Sequence, residues 1–135
     1  MLFGQKAEDA AALFLEERGY KILERNYRTR FAEIDIIASH NEGFNMAFSQ
    51  ETLNQNIPCH DTLVFIEVKA RNSKRYGLAS EAVPVSKQKK IVSAALHYIR
   101  EHRIINRRIR FDVVTILFNN GCHQIEIIPN AFEAL

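Results

Sequence analysis

The eight residues from Thr62 to Lys69, Thr-Leu-Val-Phe-Ile-Glu-Val-Lys, constrain the fold of this chain more than any other segment. Val, Ile and Phe favour extended backbone, and a short apolar run of this length is typical of a strand packed in a core. Two charged residues, Glu67 and Lys69, stand at the end of the run. The segment therefore predicts a strand that carries two charged side chains near its end.

Helical and extended patterns alternate around this strand. Apolar residues recur at helical spacing over Phe3–Arg18, which Gly19 ends, and over Ser86–His102, where Ser86 is the expected N-cap. Further strand patterns cover Tyr20–Arg28, Glu33–Ala38, Arg110–Phe118 and His123–Ile128, and the last two are expected to pair as a hairpin. The order αβββαββ predicts an α/β (α+β) fold, a mixed sheet of about five strands flanked by helices.

The length of 135 residues fits a single domain. The polar stretch from Ser39 to Asp61 is long for so small a domain and is expected to form a flexible or partner-facing loop insertion, at about 39–61. The sequence has neither a signal peptide pattern nor an apolar run of the roughly 18 residues that a membrane span needs. With only two cysteines, a cytoplasmic location is expected.

Acidic and basic residues occupy alternate positions of two strands. Side chains alternate across a strand, so Glu33 and Asp35 are expected on one face and Ile34 and Ile36 on the other. By the same rule, Glu67 and Lys69 share a face. If the two strands are neighbours, three carboxylates and one ammonium meet on one side of the sheet.

Such a cluster is costly unless it has a chemical use. Partly buried like charges repel, and Lys69 can answer only one of the carboxylates. A divalent cation with oxygen ligands, Mg²⁺ or Mn²⁺, would relieve the others, with Asp35 and Glu67 as its ligands and Glu33 as an accessory acid. Such a metal site can activate water against a phosphodiester, and Lys69 would orient that water or stabilise the transition state. Surface carboxylates on a solvated sheet edge are the alternative.

Glu8 is a further candidate acid. The residues three, four and seven positions after it are Ala11, Ala12 and Leu15, so Glu8 lies on or beside the apolar stripe of the first helix. An acid there either reaches solvent or serves a site over the sheet. We take it as a candidate metal ligand and catalytic residue.

Positive charge is concentrated in one part of the chain. From Lys69 to Arg110 there are 12 Lys and Arg against two acidic residues, whereas the remainder carries 6 Lys and Arg against 14 Asp and Glu. A basic segment next to an acidic site predicts contact with a polyanion, although a solvated helix face is the alternative. The candidate nucleic-acid contacts are Arg71, Lys74, Arg75, Tyr76, Lys87, Lys89 and Lys90, and Arg107, Arg108 and Arg110 would extend them.

Two Cys-His pairs raise the question of a zinc site. Cys59-His60 and Cys122-His123 supply the residue types of a tetrahedral site. Adjacent strand residues point to opposite faces, so both ligands of each pair would need loop geometry, which argues against zinc.

Several of these residues together resemble a known family. Gly4-x-x-x-Glu8, Gly19-Tyr20, Arg25–Arg28, Glu33–Ala38 and Val64–Arg71 resemble the YraN family of uncharacterised bacterial proteins, and Tyr76-Gly77, Glu81–Val83, Lys87 and Arg110–Val114 continue the match. The resemblance implies a restriction-endonuclease-like PD-(D/E)xK nuclease fold, akin to archaeal Holliday-junction resolvases. It implies active-site roles for Asp35, Glu67 and Lys69, and it places the helix acid at Glu8. The chain departs from the family in having Ala32 where Gly is usual and a longer 39–61 loop.

Together, these observations predict a Mg²⁺- or Mn²⁺-dependent nuclease that hydrolyses DNA, including branched or structured DNA, without a membrane partner. Resolvase-like action would require a homodimer. Two alternatives stay open: a non-catalytic nucleic-acid-binding module of the same fold, and a protein-interaction subunit that docks through its basic helix. Intact Glu8, Asp35, Glu67 and Lys69 favour the nuclease, because a pure binding module has no need of them.

Overall fold

The described part of the chain folds as a mixed sheet with two helices. The computed structural model describes residues 3–41, 61–71, 83–119 and 122–134. In chain order, its elements are α1 (Phe3–Glu17), β1 (Tyr20–Arg28), β2 (Glu33–His40), β3 (Thr62–Arg71), α2 (Val85–Glu101), β4 (Ile109–Asn119) and β5 (Cys122–Phe132). This confirms the predicted fold class and the order αβββαββ.

The strands lie in the sheet in the order in which they occur along the chain, β1-β2-β3-β4-β5. Strands β1, β2 and β3 pair antiparallel, β3 and β4 pair parallel, and β4 and β5 pair antiparallel, as the hairpin prediction requires. The parallel pair needs a crossover connection, and α2 lies within it. This topology makes β3, which carries Glu67 and Lys69, the central strand.

The two helices cover opposite faces of the sheet. One core cluster joins the buried α1 residues Ala7, Ala11 and Leu15 to side chains such as Val64 and Ile66 of β3. The other joins Ile91, Ala94, Ala95 and Tyr98 of α2 to side chains such as Phe65 and Val113. Successive β3 residues alternate between the clusters, as a strand buried on both faces does. One face of β3 therefore packs against α1 and the other against α2.

The ends of the elements differ slightly from the prediction. Gly19, with φ of +85°, follows α1 as expected, because this backbone conformation costs glycine little. The Ser86 N-cap was wrong: α2 begins at Val85, its N-cap is Pro84, and no side chain caps the helix there. Proline fixes φ near the −59° found at Pro84, which suits the position just before a helix but supplies no side-chain acceptor for the first turn.

Several predictions fall wholly or partly outside the described residues. Of the 39–61 insertion, Ser39 and His40 belong to β2 and Asp61 precedes β3, while 42–60 are not described. The single-domain organisation stays a prediction. In the part of the chain that the structure describes, neither helix is long and apolar enough to cross a membrane.

Candidate functional site

The candidate site lies where β2 and β3 separate. Their paired register runs from His40 opposite Thr62 to Ile36 opposite Ile66, and the next residues on the two strands are Asp35 and Glu67. There the Asp35 carboxylate accepts a hydrogen bond from the backbone N–H of Val68 at 2.8 Å. A side chain thus replaces a backbone acceptor, and Asp35 is held in the gap between the strands.

The pairing of β1 with β2 is irregular beside Asp35. Arg25 pairs with Ile36 and Tyr27 with Ile34, so Asn26 lies opposite Asp35, and Asn26 has a left-handed backbone with φ of 53°. The strands change face at this point. Ile34 packs in the α2 core whereas Ile36 packs in the α1 core, so the prediction that both share a face was wrong. Regular alternation fails here because Asn26 turns the backbone, a conformation that Asn adopts more readily than most residues.

Glu67 faces α2 at the end of the buried part of β3. Its side chain is only 5% exposed, and its Oε1 lies 2.5 Å from Lys87 Nζ and 3.6 Å from Lys69 Nζ. Glu67 and Lys69 therefore share a face, as the strand alternation predicted. Lys87 lies in the first turn of α2, where the helix dipole disfavours a cation, so its ion pair with Glu67 offsets that cost.

The site binds a proton more tightly than isolated carboxylates do. Burial raises the pKa of Asp35 to about 7, with the negative charge of Glu67 as the next cause and Glu8 contributing less, while the hydrogen bond from Val68 acts in the opposite direction. Near neutral pH, Asp35 therefore holds a proton in a large share of molecules. A cation at this position would take the place of that proton and relieve the repulsion.

The two lysines respond in opposite directions. The pKa of Lys69 is lowered by burial and then by the Lys87 ammonium, which together outweigh the attraction of Glu67. Burial also lowers the pKa of Lys87, but the hydrogen bond and charge of Glu67 outweigh it, so the net shift is upward. Lys87 is therefore the main counter-ion of Glu67, and Lys69 releases its proton more easily than Lys87 does.

Glu8 and Glu33 meet through Asn26. With its amide nitrogen turned toward the carboxylates, Asn26 donates to Glu33 Oε1 and to Glu8 Oε2, each at 3.0 Å. Arg25 Nη2 lies 3.9 Å from Glu8 Oε2 and is bonded more closely to Asp9. The sequence analysis missed Asn26, although an asparagine within a strand is unusual and signals an irregular backbone. Glu8 is thus placed near Asp35, with Asn26 holding its carboxylate.

A cleft of about 400 Å³ opens onto the site. Its lining includes Phe31, Glu33, Asp35, Glu67, Lys87 and Lys90. Phe31, which the sequence analysis did not select, is 44% exposed at the cleft's edge. A large aromatic residue within the short connection between two predicted strands is the sequence signal that could have drawn attention to it. The cleft therefore brings three predicted acids and two predicted basic residues to one opening.

The remaining predicted contacts are distributed unevenly. Lys89 is exposed on α2, and Arg71 is half-buried at the end of β3, where it contacts neighbouring groups. Lys74, Arg75 and Tyr76 lie outside the described residues. Arg110 does not extend the basic surface as predicted, because its guanidinium is bonded to the buried Asp112.

The carboxylates of the site suit a hard cation that takes only a few of its ligands from the protein. Within the described ranges, no group of three or more His, Cys, Asp or Glu side chains is arranged to hold a metal. Mg²⁺ often uses only one or two carboxylates and keeps several waters, so Asp35 and Glu67 would be enough protein ligands for it. Of the zinc candidates, Cys122 is an exposed free thiol, His123 is exposed, and Cys59 and His60 are not described.

Comparison with known proteins identifies the family. The family model of the uncharacterised protein family UPF0102 matches residues 7–116. The chain belongs to this family. Among its relatives, a UPF0102 protein of Desulforapulum autotrophicum is 44% identical over 130 residues, covering 96% of this chain and 92% of the relative.

Two further UPF0102 proteins are similarly close. The protein of Syntrophus aciditrophicus is 44% identical, covering 96% of this chain and 87% of the relative, and that of Geobacter metallireducens is 42% identical, covering 96% and 91%. These matches confirm the family resemblance indicated by the motifs. The UPF0102 description carries no activity, so the function rests on the chemistry of the site.

Proposed function

We propose that this chain is a metal-dependent nuclease that hydrolyses phosphodiester bonds in DNA. One observation carries the proposal: Asp35, held between separating strands, faces the buried Glu67, and Lys69 lies 3.6 Å from that carboxylate. An acid from one strand beside a Glu-x-Lys pair on the next is the arrangement that the PD-(D/E)xK resemblance implies. A binding module has no comparable reason to bury two repelling carboxylates.

The residues that line the cleft, and Glu8 and Lys69 beside it, each have a role that their position supports. Asp35 and Glu67 would hold the cation, and Glu8 and Glu33 would accept hydrogen bonds from its hydration shell. Bound Mg²⁺ or Mn²⁺ would supply Lewis acidity and neutralise the charge of the phosphodiester. Lys69, whose pKa is lowered, would orient the attacking water and stabilise negative charge as it develops on phosphorus oxygens. Lys87 and Lys90 would draw the phosphate backbone into the cleft.

Lys69→Met is expected to reduce the rate constant for DNA cleavage by about 10²- to 10³-fold, because it removes a group that acts on the transition state. The assay incubates purified protein with Mg²⁺ or Mn²⁺ and duplex, single-stranded or four-way-junction DNA. Lys6→Met, which changes an exposed lysine on α1, is the matched control and should cleave like wild type. Equal cleavage by wild type and Lys69→Met would remove Lys69 from the mechanism, and cleavage by neither would overturn the nuclease proposal.

Divalent metal is expected to stabilise the protein. At ten times the dissociation constant, Mn²⁺ should add about 1.4 kcal/mol to the free energy of unfolding and raise Tm by about 5 °C. Glu67→Gln should abolish the increase, whereas Glu16→Gln, at an exposed α1 position, should retain it. A thermal scan with and without Mn²⁺ provides the measurement. The same increase in Glu67→Gln would show that the cation binds elsewhere.

The Lys87–Glu67 ion pair favours a second candidate, a nucleic-acid-binding module without turnover. Lys87 occupies the Glu67 oxygen that would otherwise be available to a cation. In such a module, Lys87, Lys89 and Lys90 would bind phosphate while Glu67 only fixes the position of Lys87. Salt-sensitive DNA binding without Mn²⁺ stabilisation and without cleavage would select this candidate over the nuclease.

A further inference from the structure

A second cleft adjoins the first and shares Phe31 with it. Its volume is about 520 Å³, and its lining includes Thr29, Arg30, Phe31, Ser93, His97 and Arg100. We call it the Phe31 groove. It lies between α2 and the connection from β1 to β2, and the Phe31 ring stands at the boundary of the two clefts. The two clefts together therefore form one path that leads away from Asp35 and Glu67.

A polar stripe of α2 forms one wall of this path. Ser86 and Lys90 line the first cleft, and Ser93, His97 and Arg100 line the Phe31 groove, at spacings of three and four residues. This spacing places them on one face of the helix. From Ser86 to Arg100 the stripe extends about 21 Å at 1.5 Å per residue. A polymer, rather than a single small molecule, matches this length.

The charge of the Phe31 groove suits an anionic polymer. Arg30 and Arg100 are both exposed on its walls, and among the described residues its lining contains no carboxylate. Glu101 lies beside the groove, where its carboxylate accepts a hydrogen bond from Tyr27 and stands 3.5 Å from His97 Nδ1. Besides Phe31, the groove therefore presents two arginines, hydroxyl groups, an imidazole and the exposed Leu96 side chain to a bound strand.

The exposed ring of Phe31 favours single-stranded over duplex nucleic acid as the occupant of the groove. Its ring is 44% exposed, and the Arg30 guanidinium lies 5.0 Å from the ring centroid. A duplex hides the faces of its bases inside the helical stack, whereas a single strand offers each base face to an aromatic ring. An aromatic ring flanked by arginines along a groove is the arrangement that single-strand-binding proteins use.

We propose that the Phe31 groove binds a single-stranded segment of the DNA substrate, with one base stacked on Phe31 and phosphates on Arg30 and Arg100. The strand then continues into the cleft at Asp35 and Glu67. This inference rests on the proposed nuclease function only for the role of that cleft. Single-strand binding in the groove requires neither metal nor turnover, so the two proposals can fail separately.

The test measures fluorescence anisotropy of labelled oligothymidine and of a blunt duplex of equal length, at low salt and with EDTA present to prevent cleavage. Phe31→Ala should weaken single-strand binding at least about fivefold while changing duplex binding less than about twofold. Phe31→Tyr should restore single-strand affinity because it keeps the ring. Leu13→Ala, at another exposed apolar side chain, is the matched control and should bind like wild type.

The arginines are tested through salt dependence. Replacing both Arg30 and Arg100 by Gln should reduce the slope of log affinity against log salt by about 1.4, since each single-strand phosphate contact contributes about 0.7. Lys6→Gln should leave the slope unchanged. Equal weakening of both DNA forms by Phe31→Ala, no weakening, or no single-strand binding by wild type would each overturn the inference. Selective weakening without cleavage by wild type would support the inference and overturn the nuclease proposal.

Discussion

Asp35→Asn is expected to lower the rate of DNA hydrolysis by at least about 10³-fold, which corresponds to the several kcal/mol that a correctly held metal ion supplies. The substituted amide keeps an oxygen that can accept the hydrogen bond from Val68 N–H, so the separation of β2 and β3 should be preserved. What the variant loses is the negative charge facing Glu67. It therefore isolates the carboxylate's charge from its structural role, and initial cleavage rates in Mg²⁺ or Mn²⁺ provide the measurement.

The same substitution should stabilise the metal-free protein. The pKa of Asp35 is raised from 3.8 to about 7, so between these values the folded state binds a proton more tightly than the unfolded state. The contribution of Asp35 to the free energy of unfolding is therefore fully present below pH 3.8 and is lost as the pH rises to about 7. Above that pH the buried charge is a net cost, which a neutral amide avoids. At about pH 8 the variant should exceed wild type by about 1–3 kcal/mol, and by less at about pH 5.

Urea denaturation of both proteins at about pH 5 and about pH 8, without divalent metal, measures this difference. Asp9→Asn is the matched control, since Asp9 is an α1 carboxylate with an exposed partner, Arg25, and such pairs contribute little. Its stability relative to wild type should not change with pH in this range. If Asp35→Asn is less stable than wild type at the higher pH, the charges of Asp35 and Glu67 do not repel each other as argued. If Asp35→Asn cleaves DNA as fast as wild type, Asp35 is not part of the active site.

The regular part of this site could be predicted from local periodicity. The two-residue alternation of β3 places Glu67 and Lys69 on one face, and the structure agrees because β3 is a central strand without a bulge in its parallel pairing to β4. Asp35 was found by the same alternation: one step beyond the pair Ile36 and Ile66, the β2–β3 register brings it opposite Glu67. What the alternation missed is the change of face after Asp35, where Ile34 packs on the α2 side and Asn26 of β1 has a left-handed backbone.

Lys87 shows where sequence reasoning stops. Its charge predicted contact with phosphate, whereas its closest partner is Glu67, twenty residues earlier. That pairing depends on where α2 crosses the sheet, and neither hydrophobic periodicity nor charge specifies the crossing point. Phe31 was missed for a related reason. Phe31 matters because it lies at the boundary of two clefts, and these clefts exist only when the β1–β2 connection has packed beside α2.

Arg110 and Asp112 form a buried ion pair that the sequence pattern allows but does not require. The two residues stand two positions apart on β4, so their side chains share a face, and the neighbouring Val113 faces the α2 core instead. The prediction assigned Arg110 to a phosphate-binding surface because its charge was counted without its partner. Asp112 has no exposed surface and Arg110 is only 11% exposed, so the pair belongs to the interior on the α1 side.

Asp112→Ala is expected to cause the largest loss of stability among the substitutions considered, about 3–5 kcal/mol, because it leaves a buried guanidinium without its counter-charge. The Asp112 carboxylate accepts hydrogen bonds from Arg110 Nε and Nη2 at 2.8 Å each, from Asn130 N at 2.9 Å and from Tyr20 Oη at 3.3 Å. A loss of this size is a third or more of the stability of many domains. The midpoint of urea denaturation measures it.

A second substitution separates the buried charge from the lost hydrogen bonds. In Asp112→Ala with Arg110→Met, the uncompensated guanidinium is gone, so the double variant should recover part of the loss despite carrying one more change. The remainder reports the hydrogen bonds that the pair makes with its neighbours, including the one from Asn130, whose left-handed backbone, with φ of 52°, is held by Asp112. Asp9→Ala is the control, with a change below about 1 kcal/mol expected for an exposed pair. A double variant less stable than Asp112→Ala would contradict the charge argument, because the Arg110 hydrogen bonds to Tyr20 and His40 should contribute less than the uncompensated buried charge costs.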